Sequence, residues 1–312
     1  MKKVLAIYFS DPDMMDYPFN KTEYFEMYQV IIDQLLKADI ASYIVRGKSY
    51  LGDGLFSHGW KFTTKDQLEE VKNIKADLIF NRDDKNIIPT ITDCSIINNS
   101  QFDELCLDKV KTFQRFPEIS PKSASIHSYE EFIDTIHSWE FKEGEIVAVK
   151  QNFEAEGRGI FIKPWNEIKS SDYTNWTNVL VQEFIDSSGG IPGITKTYHD
   201  LRITVVEHVP TVSTVRTPKI GSLLANVGQG GTSRALPIED VPQDILDIVL
   251  SLDETFTAYD PCLYSADFML DKTKGWKLIE LNSRPGLLHP NFSSDYEKYN
   301  NALVQMLIKT LS

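Results

Sequence analysis

The sequence predicts an α/β protein that becomes α+β in its C-terminal part. Three observations carry that expectation. Over the first hundred residues, short apolar runs alternate with a strongly periodic amphipathic segment, the pattern of a parallel α/β layer. Further on, strand-like runs dominate, and one long helical pattern, Gln243–Phe256, interrupts them. The chain has 312 residues, too many for one ordinary core and suited to two or three subdomains.

The elements follow in order. Val4–Tyr8 is a short apolar strand. Met1-Lys2-Lys3 before it mimics the start of a signal peptide, but the apolar run is short and Asp11, Asp13 and Asp16 follow at once. Thr22–Lys37 places Phe25, Tyr28, Ile31, Ile32, Leu35 and Leu36 on one helix face. Ser42–Val45 is a second strand. Thr64–Lys72 reads as a charged helix with Thr63 or Thr64 as its cap. Asp77–Phe80 and Ser95–Ile97 read as strands, and Asn98-Asn99-Ser100 breaks the pattern at a domain boundary. One helix is expected over Gln101–Phe116, ended by Pro117 and Pro121. Strands are then expected at Ile146–Lys150, Gly159–Lys163, Val179–Ile185, Leu201–Glu207 and Thr211–Arg216, with a hairpin of Leu263–Leu270 and Trp276–Leu281.

Composition excludes several classes. A net charge of -13 disfavours nucleic acid phosphates and anionic membranes as partners. No stretch has the apolar length of a bilayer span. Cys94, Cys106 and Cys262 form no C-x-x-C pair, which suggests neither a zinc site nor a disulfide framework and fits a reducing cytoplasm.

The densest chemistry lies in the last hairpin. Strand alternation in Trp276–Asn282 puts Glu280 and Asn282 on one face, with Ile279 and Leu281 on the other. A turn centred between Thr273 and Lys274 sets Asp267 opposite Glu280, whereas a turn at Lys274-Gly275 sets it opposite Asn282. Either register gathers three oxygen-bearing side chains on one face, the donor set a Mg²⁺ ion takes. Polar alternation alone also describes a solvated face. The Ser283-Arg284-Pro285-Gly286 turn that follows favours a binding loop. Upstream, Lys150 closes an apolar strand and is followed by the Gly157-Arg158-Gly159 loop, whose glycines admit phosphate oxygens close to backbone N–H groups.

Asp267 in Asp-Phe-Met, followed by Glu280-Leu-Asn-Ser-Arg-Pro-Gly286, resembles the metal-binding end of ATP-grasp enzymes. The resemblance covers roughly residues 102–310 and comes nearest to the glutathione synthetase and ribosomal-protein glutamate ligase branch. It implies an ATP-grasp fold over 101–312 behind a parallel α/β pre-ATP-grasp domain over 1–100. Within it, a small nucleotide-covering subdomain is expected at about 120–185 and a catalytic subdomain at 186–312.

The same resemblance implies the roles of the site residues. Asp267, Glu280 and Asn282 would hold two Mg²⁺ ions, with Mn²⁺ able to substitute, against the phosphates of ATP. Lys109 and Lys150 would contact ATP. Gly157 and Gly159 would belong to a phosphate-covering loop, and Gln182-Glu183-Phe184-Ile185 would run along the adenine. Arg202, in Asp200-Leu201-Arg202, would stabilise the transferring phosphoryl group, with Arg234 and Asn282 completing the catalytic set. Asn226, Gly230, Gly231, Arg284 and Gly286 would contact the substrate.

The implied function is an ATP-dependent carboxylate–amine ligase that forms an amide through an acyl phosphate and releases ADP and phosphate. Two alternatives are an ATP-grasp kinase acting on a small-molecule hydroxyl and a non-catalytic nucleotide-binding module. The implied partners are amino acids or short peptides in the cytoplasm, without nucleic acid or membrane, and homo-oligomerisation is left open.

Overall fold

The computed structural model describes residues 2–64, 67–83, 94–152, 159–223, 225 and 230–312. Three sheets organise them. The first is mixed. Its parallel centre is β1 (Lys3–Phe9), β2 (Ile40–Arg46), β6 (Leu78–Asn81) and β7 (Ser95–Ile97), with α1 (Thr22–Lys37) crossing from β1 to β2. An antiparallel flank of β3 (Tyr50–Gly52), β4 (Leu55–Thr64) and β5 (Gln67–Lys75) extends it beyond β2.

The expected helix over Thr64–Lys72 is therefore a strand. Leu68, Val71 and Ile74 are spaced like a helix face, and that spacing misleads. In β5, Leu68 pairs with Phe62, Val71 with Gly59 and Ile74 with Phe56 across a hairpin with an irregular register. Gly59 is required there, because a Cβ would sit 2.7 Å from the Ile44 carbonyl oxygen. The hairpin does the work expected of the helix: Phe56, Ile74 and Ala76 pack on the sheet face that carries Ala6, Tyr8 and Ile79.

α2 (Ser100–Leu107) and α3 (Lys109–Arg115) replace the single helix expected over Gln101–Phe116. The break falls at Asp108, whose carboxylate accepts from the Val110 and Lys111 N–H groups and caps the second helix. Next come β8 (Ser123–Ile126), α4 (Tyr129–Ser138), β9 (Ile146–Gln151), β10 (Ile160–Pro164) and β11 (Val179–Glu183). Their strands form an antiparallel sheet in the order β10-β9-β11-β8, with α4 and the Trp176 segment packed on one face.

The third sheet holds β12 (Asp200–Val206), β13 (Val209–Thr217), β14 (Thr232–Leu236), β15 (Leu263–Asp271) and β16 (Gly275–Asn282) in the order β14-β13-β12-β15-β16. α5 (Gln243–Glu254) joins its core through Ile245, Val249 and Leu252. α6 (Tyr296–Leu311) joins the first sheet instead: Tyr299, Leu303, Val304 and Leu307 share a core with Leu5, Ile7 and Leu35, and with Val206 and Val212 of the third sheet. Asn98 bolts the two parts together, taking the Leu263 N–H on its amide oxygen and donating to the carbonyls of Leu263 and Ser283. Among the described residues no helix is long and apolar enough to cross a membrane.

Candidate active site

The four-stranded and five-stranded sheets face each other across a cleft. Its lining has two characters. Ala148, Ile160, Ile162, Phe184, Ile185, Met269 and Ile279 make an apolar slot, whereas Lys109, Lys150, Asp200, Arg216, Asp267 and Glu280 gather charge.

The charged side is built on neighbouring strands. The hairpin of β15 and β16 pairs Asp267 with Glu280 and Ser265 with Asn282. Asp267 opposite Glu280 is the first of the two registers read from the sequence. The register shifts between Asp267 and Phe268, so Ile279 is the extra residue of a bulge. That corrects one expectation: Ile279 lines the cleft beside Glu280 instead of turning away.

β12 sets Arg202 directly opposite Asp267, and the guanidinium grips both carboxylate oxygens at 2.7 and 2.8 Å. On β13, Arg216 pairs in register with Asp200, donates to its Oδ1 at 2.6 Å, and reaches Asp267 with Nη2. Burial would raise the Asp267 pKa, but the two guanidiniums hold its carboxyl below the usual carboxylate range. Burial has the upper hand at Asp200 and pushes that carboxyl up despite Arg216. Arg216 was not singled out in the sequence, yet it closes an apolar strand just as Lys150 does.

The two lysines face this cluster. The Asp108 cap starts α3 so that Lys109, its first residue, points inward. Lys109 Nζ donates to the Asn152 carbonyl at 3.1 Å and lies 3.6 Å from Glu280 Oε1. Lys150 is buried, 5.7 Å from the Phe113 ring centre. Burial and the neighbouring Lys109 charge lower its pKa to about 8, against the pull of Glu280.

The donor set suits a hard cation. Asp267 and Glu280 face each other, and Asn282 lies one pleat along the same hairpin. Among the described residues no three His, Cys, Asp or Glu side chains form a metal site. Two carboxylates and an amide leave positions for phosphate oxygens and water, which Mg²⁺ keeps.

In the apolar slot, Gln182 stands on β11 between Ala148 of β9 and Ser123 of β8. Phe184 and Tyr198 bring their rings to 6.4 Å. The Glu183 side chain turns out of this slot: it accepts from the Lys122 N–H at 2.9 Å and pairs with Lys274 at 2.5 Å.

Of the sequence-derived residues, the structure brings Lys109, Lys150, Gln182, Glu183, Phe184, Ile185, Asp267 and Glu280 together in the cleft, with Arg202 bound to Asp267. Asn282 sits at the end of the hairpin, its amide oxygen accepting from the Arg284 N–H at 2.8 Å. Gly159 enters β10 with φ +62°. Gly157 and Asn226 lie outside the described residues. Gly230 and Gly231 lead into β14, and Gly231 sits so close to the Thr217 and Ala225 carbonyls that no side chain fits. Arg234 lies on edge strand β14 rather than in a loop, opposite Val215, and donates to the Ile194 carbonyl at 2.8 Å. Arg284 is buried against Asp103 and the Asp83 carbonyl, tying β16 to α2 and the first sheet, and Gly286 is exposed.

Solved structures share this architecture at low sequence identity. D-alanyl-alanine synthetase A from Vibrio cholerae O1 biovar eltor is 11% identical, with a TM-score of 0.68 over 100% of this chain and 99% of its own. The VanG D-Ala:D-Ser ligase from Enterococcus faecalis is 13% identical, with a TM-score of 0.66 over 99% and 98%. A RiPP-associated ATP-grasp ligase from Chryseobacterium gregarium, in complex with ADP and a leader and core peptide, is 12% identical with a TM-score of 0.63 over 99% and 98%. No curated protein matches the sequence. The family model of the RimK-like ATP-grasp domain matches residues 108–304, more than half of the chain and the whole of the cleft described above. The chain therefore belongs to the RimK-like ATP-grasp family.

Proposed function

We propose that the protein is an ATP-dependent carboxylate–amine ligase that works through an acyl phosphate. The observation that carries the reading is the opposition, within one cleft, of two lysines and two arginines to a pair of facing carboxylates, beside an apolar slot. Such a site neutralises polyphosphate charge and holds a planar base at once. Asp267, Glu280 and Asn282 would hold Mg²⁺, which supplies charge neutralisation to the phosphates.

In this reading Lys109 and Lys150 bind phosphate oxygens as point charges, and Lys150 must be protonated to do so. Arg202 and Arg216, held by Asp267 and Asp200, would supply positive charge beside the place where the phosphoryl group passes to the substrate carboxylate. The carboxylate oxygen attacks the γ-phosphorus, the bond to the β,γ-bridging oxygen breaks, and ADP leaves. An amine then attacks the acyl carbon, and inorganic phosphate departs with the carbon–oxygen bond electrons. Walls on both sides keep water from the acyl phosphate. Arg234, on the edge strand beyond Arg216, is the proposed contact for a substrate carboxylate, and Asn226, Gly230, Gly231, Arg284 and Gly286 are the further residues proposed for the substrate.

The substrates we propose are amino acids or short peptides. Paired amino acids and peptides, incubated with ATP and Mg²⁺, should release phosphate and yield an amide of the summed mass less water. A stable phosphorylated product without amide would mean a kinase. Nucleotide binding without turnover on any pair would favour a binding module.

A further inference from the structure

We propose that Asp103, on α2 and outside the cleft, is a positioning residue for the metal site, acting on Asn282 through Arg284. The proposal rests on the Mg²⁺ reading given above and adds the means by which the first sheet and α2 orient one of its ligands.

The turn that follows β16 is gripped at three consecutive residues. Asn98, just past β7, donates to the Ser283 carbonyl. The Arg284 guanidinium donates through Nη1 to the Asp83 carbonyl and through Nη2 to Asp103 Oδ2. Arg82, just past β6, donates to the Pro285 carbonyl at 2.5 Å. Every partner lies at the carboxyl end of a parallel strand or in the first turn of α2. The turn beside the metal hairpin is thus placed by another layer of the molecule.

The Asn282 side chain is what this grip serves. Its Oδ1 accepts from the Arg284 N–H at 2.8 Å, closing an Asx-turn. An asparagine amide can offer either its oxygen or its NH₂, and a hard cation takes only the oxygen. With the Arg284 N–H fixed, a turned-over amide would set donor against donor. One orientation is left, and the oxygen it fixes keeps a second lone pair. The Arg284 side chain faces Asp83 and Asp103, so what it lends the metal site is the position of its own backbone.

The Asp103 and Arg284 side chains are 1% and 7% exposed. Stability is a poor reason for so buried a pair, since apolar groups of like volume generally serve as well. Fixed direction is a better one. A guanidinium held by a carboxylate and a carbonyl at once cannot swing, and groups that orient a metal ligand are commonly worth about 10–100-fold in metal affinity.

Titration of the full chain with Mn²⁺ in the presence of ADP tests this, with water proton relaxation separating protein-held Mn²⁺ from Mn·ADP in solution. Asp103→Asn should weaken Mn²⁺ about 10-fold while ADP affinity without metal stays the same. Arg284→Met keeps the backbone N–H but removes what holds it, so it should weaken Mn²⁺ as well. Charge alone demands the reverse for this second variant, because removing a cation tightens a nearby metal. Asp103→Leu combined with Arg284→Met replaces the pair by apolar groups. That double variant should melt close to the parent and still bind Mn²⁺ about 10-fold more weakly, and it decides the matter if Asp103→Asn fails to fold. Tighter Mn²⁺ binding by Arg284→Met, or parental binding by the double variant, overturns the inference. Mn²⁺ binding by neither parent nor variants would instead sink the metal reading itself.

Discussion

The two ends of the cleft are built on opposite principles. At the charged end most of the functional side chains are braced by another: Asp267 by Arg202 and Arg216, Arg216 by Asp200, Glu280 by Lys109. These groups sit on four adjacent strands of the five-stranded sheet or on the capped start of α3. At the apolar end most of the lining is hydrocarbon, with Gln182 among its few polar side chains. The charged end holds its geometry before any ligand arrives, at the cost of burying several charges together. The apolar end stores little electrostatic energy. Substitutions within the buried arginine–aspartate cluster of the charged end should therefore disturb folding and turnover together, those at Glu280 and Lys150 should separate the two, and those at the apolar end should change ligand preference alone.

The sharpest way to break that contrast is Arg216→Met. It strands Asp200 and part of the Asp267 charge in a buried place, and unpairing a buried ion pair costs about 3–5 kcal/mol. Urea denaturation should show a loss of that size; an unchanged midpoint would mean that the cluster is not braced as described. Glu280→Gln keeps the volume and removes one charge. Turnover should fall by about 10²–10³-fold while the urea midpoint holds, because the carboxylate is only partly buried and its Lys109 contact is long. Retention of full activity at limiting Mg²⁺ would remove Glu280 from the metal site.

Lys150→Met should separate binding from stability. ATP affinity should drop about 10-fold or more, as expected for a lost charge-assisted contact. The melting temperature should rise by about 2–4 °C, since burial and Lys109 outweigh the attraction of Glu280. The sign follows from linkage. Folding lowers the Lys150 pKa to about 8, so protonation of this lysine opposes folding, and the opposition fades as pH rises from about 8 toward its ordinary value of 10.5. The gain from Lys150→Met should accordingly shrink in alkaline buffer.

The smallest effect is expected far from the cleft. His208 lies 2.7 Å from Asp253 and 3.0 Å from Asp260. Partial burial lowers its pKa, but the two carboxylates more than compensate and raise it above the ordinary value. A raised histidine contributes stability in full below its unfolded pKa of about 6.5 and loses it as pH rises through the folded one. His208→Gln should thus lower the melting temperature slightly at pH 6 and leave it unchanged at pH 9. Equal losses at both values would assign the contact to packing instead of charge.

Much of this site was legible because charge and periodicity coincide in it. Asp267, Glu280 and Asn282 stand at alternating positions of an apolar hairpin, and Lys150 ends an apolar run, so each is a polar exception in a patterned place. Arg216 ends its strand in the same way and was available to the same logic. The bulge at Ile279 was not, because one inserted residue changes facing without changing composition. β5 misled through the spacing of Leu68, Val71 and Ile74, which satisfies a helix and a twisted hairpin alike. The split at Asp108 depends on a carboxylate choosing to cap rather than continue, a decision made by its neighbours Val110, Lys111 and Asn152. α4 carried ordinary signs, a Ser128 cap with Glu131 three residues on, ahead of Phe132 and Ile136. β14 carried few, being a short polar edge strand whose partner, β13, supplies the order.

The packing of α6 has a consequence for how the chain reaches this state during synthesis. The first sheet and α1 emerge from the ribosome before the cleft residues, but the apolar face they share is completed by Tyr299, Leu303, Val304 and Leu307, which emerge after them. That layer must wait with an open flank until every cleft residue has been translated. A chain stopped before Tyr296 would keep every cleft residue named above and still expose that flank, so its failure would be aggregation of an otherwise complete site.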